Sequence, residues 1–193
     1  MSGKKRSFIA VRFSDEVISN LDDLQARLKS AVGPHAKVKW VKPENIHLTM
    51  QFLGDVEVKV LEEMSAFLKE AFWDIPPFEV RLSGLGAFPS PKKPRVVWVG
   101  ITAGVSELKA VSEAVFKVTE AFGFEREKRP FKPHVTMGRI RDPRKSSGIS
   151  GGLEKTGEVE AGSCQIDVVH LVASELRPTG PVYTTLDSFP LGR

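Results

Sequence analysis

Apolar and polar positions alternate along several short stretches of this chain and recur every three or four residues along others, so strands and helices are predicted in turn. Residues 6–13 are rich in apolar positions with weak alternation and read as a strand. Ser14 follows as an N-cap, and Val17, Ile18, Leu21, Leu24 and Leu28 recur at helical spacing until Gly33 and Pro34 stop the helix. Residues 38–41 read as a short strand punctuated by Pro43, and residues 46–53 as a longer one. Gly54 and Asp55 are expected to turn the chain into a second helix, with Val60, Leu61, Met64, Phe67, Leu68 and Ala71 on one face and Pro76 and Pro77 as the break.

Residues 78–83 read as a strand, 84–94 as a Gly- and Pro-rich loop, and 95–101 as another strand. A third helix carries Val105, Leu108, Val111, Val115, Val118 and Phe122, with Gly123 placed to end it. Residues 133–140 form the next strand. Residues 141–152 are polar and rich in Gly and Ser, the best candidate for a mobile loop, and 165–173 and 182–186 read as closing strands.

Strand, amphipathic helix and strand therefore occur twice, and the second strand of each set opens on nearly the same tetrapeptide. His47-Leu48-Thr49-Met50 is matched by His134-Val135-Thr136-Met137, two of only four histidines in the chain. His134 lies 87 residues after His47 (134 less 47), and the same offset carries Leu21 to Leu108, Leu24 to Val111 and Leu28 to Val115. The pattern implies an α+β fold of two similar lobes around a cleft, related by a pseudo-twofold axis. A parallel βαβ sheet ranks lower, because no Gly-rich phosphate loop follows a strand.

Length and composition add limits. At 193 residues, 41% of them hydrophobic, the chain can bury a core as one bilobal domain, residues 1–193. No apolar run approaches the ~20 residues of a membrane span, and residues 8–11 fall short of a signal-peptide core of roughly 7–15 residues. Cys164 is the only cysteine, so no internal disulfide or thiolate metal cluster is expected. A cytoplasmic, monomeric protein without membrane contact is the expectation. Lys and Arg number 28 against 24 Asp and Glu, which permits a polyanionic partner without demanding one. Arg126, Lys128, Arg129, Lys132, Arg139, Arg141, Arg144 and Lys145 flank the second tetrapeptide, and Lys92, Lys93 and Arg95 form a smaller group. Solvated loops explain such clusters as well as a binding rim does.

The paired histidines carry the chemistry. On a strand, residues i and i+2 share a face, so each His shares one with its own Thr. An imidazole titrates near pH ~6.5, so one of a pair can act as general base and the other as general acid. Hydrolysis of a cyclic phosphodiester needs such a pair: one takes a proton from water, and the other protonates the departing ribose oxygen. Threonine hydroxyls or an arginine would bind the non-bridging phosphate oxygens. No metal-binding motif or cofactor loop accompanies them, so neither metal nor cofactor is expected. Thr49 and Thr136 could instead serve only as strand formers.

The chain resembles the two-histidine phosphoesterase superfamily, and within it the LigT-like RNA 2′,3′-cyclic phosphodiesterases, also called 2′-5′ RNA ligases. The resemblance spans nearly the whole chain. It rests on residues 8–11 (Phe-Ile-Ala-Val), 41–54 (Val-Lys-Pro-Glu-Asn-Ile-His-Leu-Thr-Met-Gln-Phe-Leu-Gly), Phe88-Pro89, 95–100 (Arg-Val-Val-Trp-Val-Gly), 131–139 (Phe-Lys-Pro-His-Val-Thr-Met-Gly-Arg) and 180–183 (Gly-Pro-Val-Tyr). Met50 and Met137 stand where Leu is common. The resemblance implies conversion of an RNA 2′,3′-cyclic phosphate end, tRNA fragments among the candidates, into a 2′-phosphomonoester without metal. It implies His47 as general acid, His134 as general base, Arg139 as phosphate ligand and Phe52 as a platform for the terminal base.

Phe52 and Arg139 each lie five residues after a signature histidine, and strict alternation places them on the opposite face. A bulge would have to turn them inward, and Gly138 eases this for Arg139. For Phe52 a core position is the competing reading. His35 reads as a loop residue, His170 as a framework residue, Trp40 and Trp98 as core, and Cys164 as a bystander. Ser174 and Tyr183 are candidates for the cleft border. Alternatives in function are reverse ligation through the same residues, another small cyclic or 2′,5′-linked nucleotide as substrate, and a non-catalytic RNA-end binder.

Overall fold

The computed structural model describes residues 3–34, 36–126, 130–142, 146 and 148–192. His35 and the cations Lys128, Arg129, Arg144 and Lys145 lie outside the described residues. The chain runs β1 (Lys4–Val11), α1 (Asp15–Val32), β2 (Val38–Trp40), a 3-10 turn (Pro43–Asn45), β3 (Leu48–Glu57), α2 (Val58–Ala71), β4 (Phe78–Phe88) and β5 (Val96–Ala103). It continues through α3 (Val105–Ala121), β6 (His134–Ile140), α4 (Ile149–Thr156), β7 (Glu160–Ile166), β8 (Val168–Arg177) and β9 (Gly180–Pro190).

The strands form two sheets, ordered β3-β1-β8-β9 and β2-β6-β5-β4-β7, with antiparallel pairing throughout. β3, β1, β8 and β9 of the first sheet correspond in order to β6, β5, β4 and β7 of the second. β2 is an added edge strand with no counterpart among the described residues. The expected α+β fold of two related lobes is therefore present, and the parallel alternative is not.

Local chemistry sets the element ends. Ser14 holds an extended backbone (φ −62°, ψ 157°), and its hydroxyl accepts from the Val17 N–H at 3.4 Å, which satisfies a free amide of the first turn of α1. Asp15 and Glu16 near that end and Lys29 near the other complement the helix dipole.

Several boundaries differ from the sequence expectation. Gly54 was expected to turn the chain, but β3 runs through it to Glu57, with Gly54 at φ 73° next to a register shift. β4 likewise continues past Gly84 to Phe88, into the stretch expected to be a loop. Residues 165–173 hold the end of one strand and the start of another, because β7 and β8 meet near Asp167. Within the expected loop 141–152, Ile149 already begins α4. The helix was illegible because glycines 148, 151 and 152 lower helix propensity. Gly152 packs so closely on Val32 of α1 that a Cβ would overlap it.

The helices are exchanged between lobes. α1 follows β1 of the first sheet yet packs on α4 and β7 of the second lobe, where Asn20 Nδ2 donates to the Ala161 carbonyl at 3.2 Å. α3 follows β5 of the second sheet yet packs on α2 and β3. Leu21, Leu24 and Leu28 of α1 and Leu108, Val111 and Val115 of α3 are all buried in one continuous core that spans both sheets.

Each exchanged helix also sends a buried polar group to the partner lobe's signature strand. Gln25 Nε2 donates to the carbonyls of Val41 at 2.7 Å and Met137 at 3.2 Å. Thr119 Oγ1 donates to Gln51 Oε1 at 2.7 Å, with both residues buried. A buried amide oxygen left without its donor costs about 1–3 kcal/mol. Thr119→Val is therefore expected to lower unfolding stability by about that amount, while Thr119→Ser keeps most of it. Urea denaturation midpoints check this; equal losses for both variants would show that the hydroxyl contributes nothing.

Candidate active site

The five-residue spacing is resolved by a matched pair of bulges. In β3, Thr49 pairs with Ala10 but Gln51 with Ile9, so Met50 is the extra residue. In β6, Thr136 pairs with Trp98 but Gly138 with Val97, so Met137 is the extra residue. Met50 and Gln51 are both buried, as are Met137 and Gly138. Two consecutive inward residues reverse the alternation that follows. Phe52 thus returns to the side of His47 and Thr49, and Arg139 to that of His134 and Thr136. Phe52 is 65% exposed, which rules out the core reading, and its ring lies 6.0 Å from that of Phe8, which lies 4.8 Å from His47.

The two histidines are held alike. His47 Nδ1 lies 2.7 Å from the Asn45 carbonyl, and His134 Nδ1 lies 2.7 Å from the Lys132 carbonyl, each two residues back. A carbonyl only accepts, so Nδ1 carries hydrogen in both rings and Nε2 is left for chemistry. His47 Nε2 lies 3.0 Å from Thr49 Oγ1. Each ring rests against aromatic groups. Tyr183 meets His47 edge-on at 5.4 Å, and Phe88 meets His134 edge-on at 5.0 Å, with Trp98 at 6.5 Å from His134.

Sequence reasoning misplaced or missed several neighbours. Trp98, read as core, is half-buried beside Phe88 and His134, over Gly86, where a Cβ would collide with the indole. Trp40 packs against the core as expected, with the Lys29 ammonium 5.8 Å from its ring. Tyr183 borders the site, meeting both Phe8 and His47 edge-on. His170 pairs with Ala10, which places it on the same face as Thr49, and its Nδ1 bonds Ser188 Oγ at 3.0 Å. Arg12, singled out by no motif, lines a pocket with His47, Asn45 and Tyr183. Lys39 of β2 is the register partner of Arg139, so two cations stand side by side on one face. Arg126, one of the cations flanking the second tetrapeptide, is engaged by Glu113 of α3 in a two-pronged ion pair.

The electrostatics converge on the imidazoles. Burial pushes the His47 imidazole below its ordinary range; the bond to the Asn45 carbonyl opposes this, and the charges of Arg12 and Arg139 add to it. Burial does the same to His134, opposed by the Lys132 carbonyl and reinforced by Arg139. Arg139 therefore opposes a cation on the histidines of both lobes. Burial pushes the Tyr183 hydroxyl up, so it stays protonated, as a donor. Among the described residues, no three His, Cys, Asp or Glu side chains gather as metal ligands.

Comparison with known proteins agrees with this arrangement. The LigT like Phosphoesterase family matches the chain twice, over residues 11–98 and 99–183, so one copy falls on each repeat. The chain belongs to that family. A curated relative from Aeropyrum pernix is 39% identical over 163 residues, covering 83% of this chain and 91% of its own, and is named RNA 2′,3′-cyclic phosphodiesterase. One of the same name from Methanothermobacter thermautotrophicus is 35% identical over 190 residues, covering 97% and 100%. A crystal structure of a Thermus thermophilus protein superposes with a TM-score of 0.76 at 31% identity, covering 97% of this chain and 99% of that one.

Both imidazoles of the ligand-free protein are expected to titrate below about 6.5 in NMR experiments. Arg139→Gln should raise both midpoints, and Arg12→Gln those of His47 and His170 only. Midpoints at or above the ordinary value would contradict the desolvated geometry.

Proposed function

We propose that this protein hydrolyses the 2′,3′-cyclic phosphate ends of RNA to 2′-phosphomonoesters, with the two histidines as acid and base and no metal in the reaction. The observation that carries the reading is the duplicated imidazole geometry, with each Nδ1 tied to the backbone carbonyl two residues back, so that Nε2 is the nitrogen that exchanges a proton, in His47 beside the Thr49 hydroxyl. The names of the curated relatives support the substrate class. The donor set supports the metal-free form, since the proton transfers need only the imidazoles.

His134 in its neutral form has a free lone pair on Nε2 and takes a proton from water as that water's oxygen bonds to phosphorus. The P–O3′ bond breaks, and protonated His47 delivers its Nε2 hydrogen to O3′. The product carries a phosphate on O2′ and a free 3′-hydroxyl. Proton exchange with solvent then resets the pair. Arg139, Thr49 and Thr136 hold the non-bridging oxygens, where negative charge builds up in the transition state. Phe52 stacks on the terminal base. With an RNA 5′-hydroxyl in place of water as the nucleophile, the same steps join two RNA ends through a 2′,5′ linkage, a minor activity of the same site. Tyr183 and Phe88 fix the ring planes by packing on their faces and edges.

A short RNA with a 2′,3′-cyclic phosphate end, incubated in EDTA, is expected to yield a 2′-phosphate. His47→Ala and His134→Ala should each lower turnover roughly 10²–10⁴-fold with little loss of RNA binding. A 3′-phosphate product would reverse the regiochemistry. Loss of activity on chelation, restored by added metal, would refute the metal-free reaction.

The assignment of acid to His47 carries its own test. Arg12 and Arg139 both oppose a cation at His47, whereas at His134 the opposing charge is that of Arg139. Those fields favour the second reading, in which the roles are exchanged. An acidic leaving group such as 4-nitrophenolate departs without a proton. With a 3′-deoxynucleoside 2′-(4-nitrophenyl phosphate), in which nitrophenolate takes the place of O3′ and the P–O2′ bond is kept, His47→Ala is expected to stay active and His134→Ala to be inactive. The opposite pattern would exchange the roles.

A further inference from the structure

The segment that joins β2 to β3 passes from the second sheet to the first and so bridges the two lobes. It carries Lys42, Glu44 and Asn45, and a second cavity opens beside it. This cavity has a volume of about 210 Å3 and is lined by Lys42, Glu44 and Asn45 on one side and by Thr179 to Tyr183 of the β8–β9 hairpin on the other. Asn45 and Tyr183 also line the pocket that holds His47, so the two spaces share a wall. Asn45 is buried, and its side chain fixes that wall, with Nδ2 donating to the Pro181 carbonyl at 3.1 Å while its own carbonyl bonds His47 Nδ1.

The lining suits a nucleotide. Pro181, Val182 and Tyr183 contribute apolar and aromatic residues to the lining, Thr179 a hydroxyl-bearing one, and Lys42, with its exposed side chain, a cation. Lys42 meets Glu44 at 3.8 Å, but both side chains are exposed, 60% and 66%, so their attraction is weak and screened. A phosphate can displace such a carboxylate. The site has the arrangement used for single-stranded nucleic acid, in which a cation meets the backbone and an apolar wall meets the base.

We infer that this cavity is the subsite for the nucleotide preceding the cyclic phosphate end, with Lys42 bound to the phosphate that links the two. The inference rests on the proposed RNA reaction at His47 and His134. It makes the protein selective for an RNA strand over a free cyclic mononucleotide. Glu44 then acts as a gate on that selectivity, because its carboxylate competes with the incoming phosphate.

The test compares adenosine 2′,3′-cyclic phosphate with the dinucleotide ApA bearing the same cyclic end, on the full chain. The wild type is expected to favour the dinucleotide in kcat/KM by about tenfold or more, the worth of one well-placed contact of about 1.4 kcal/mol. Lys42→Ala should reduce that ratio towards one while leaving turnover of the mononucleotide unchanged, and Glu44→Gln should increase it. The salt dependence of kcat/KM for the dinucleotide should also flatten in Lys42→Ala, by about 0.7 in the log–log slope for one lost phosphate contact. A wild-type ratio near one, or a ratio that neither substitution moves, overturns the subsite. Failure to turn over either substrate refutes the active-site reading itself, and the subsite falls with it.

Discussion

A pleated strand alternates its side chains, and this cleft breaks that rule at one point in each lobe. His, Thr and the residue five positions after the His share a side only because an extra residue, Met50 or Met137, sits between them. The cost of a bulge is a locally disrupted ladder, and the structure offsets it with buried hydrogen bonds. The Met137 carbonyl accepts from the Val41 amide at 2.9 Å as well as from Gln25. Gln51, turned inward by its bulge, is met by Thr119. These helix side chains come from the opposite half of the chain, so each lobe stabilises the irregularity that shapes the other's half of the site.

The duplication is close at the reacting groups and broken elsewhere. Both histidines use the same backbone tether, and both lie edge-on to an aromatic ring, yet Phe52 in one lobe corresponds to Arg139 in the other. Among the described residues β2 is also unmatched, and it brings Lys39 alongside Arg139. On the proposed reaction, the shared positions do chemistry and the unshared ones tell one end of the substrate from the other.

Much of this was legible in the sequence. The paired tetrapeptides, the helical stripes and the offset between halves pointed to the lobes and the two histidines, because periodicity and short motifs are local signals. Tyr183 and Trp98 were harder to place. Their positions depend on how the β8–β9 hairpin meets Asn45 and on the absence of a side chain at Gly86, neither of which is a local property. Arg12 follows a strand with no motif around it, and only the fold sets it by His47. The bulges were foreseen only as a requirement for Phe52 and Arg139 to face inward. β4 ran on through Gly84 because glycine marks a bulge as readily as a turn. α4 was hidden because its glycines serve close packing on Val32 rather than helix propensity.

The exchange of α1 and α3 has a mechanical consequence. Two lobes joined by a single linker open and close about a hinge, and the few residues at that hinge absorb the motion. Here two helices cross between the lobes in opposite senses, and one hydrophobic core runs beneath both sheets. Widening the cleft would pull Leu21 and Leu24 away from one sheet and Leu108 and Val111 away from the other at the same time, exposing apolar surface on both sides. The distance across the cleft is therefore a property of core packing, set when the chain folds rather than when a ligand arrives. Such a site selects what already fits its fixed span.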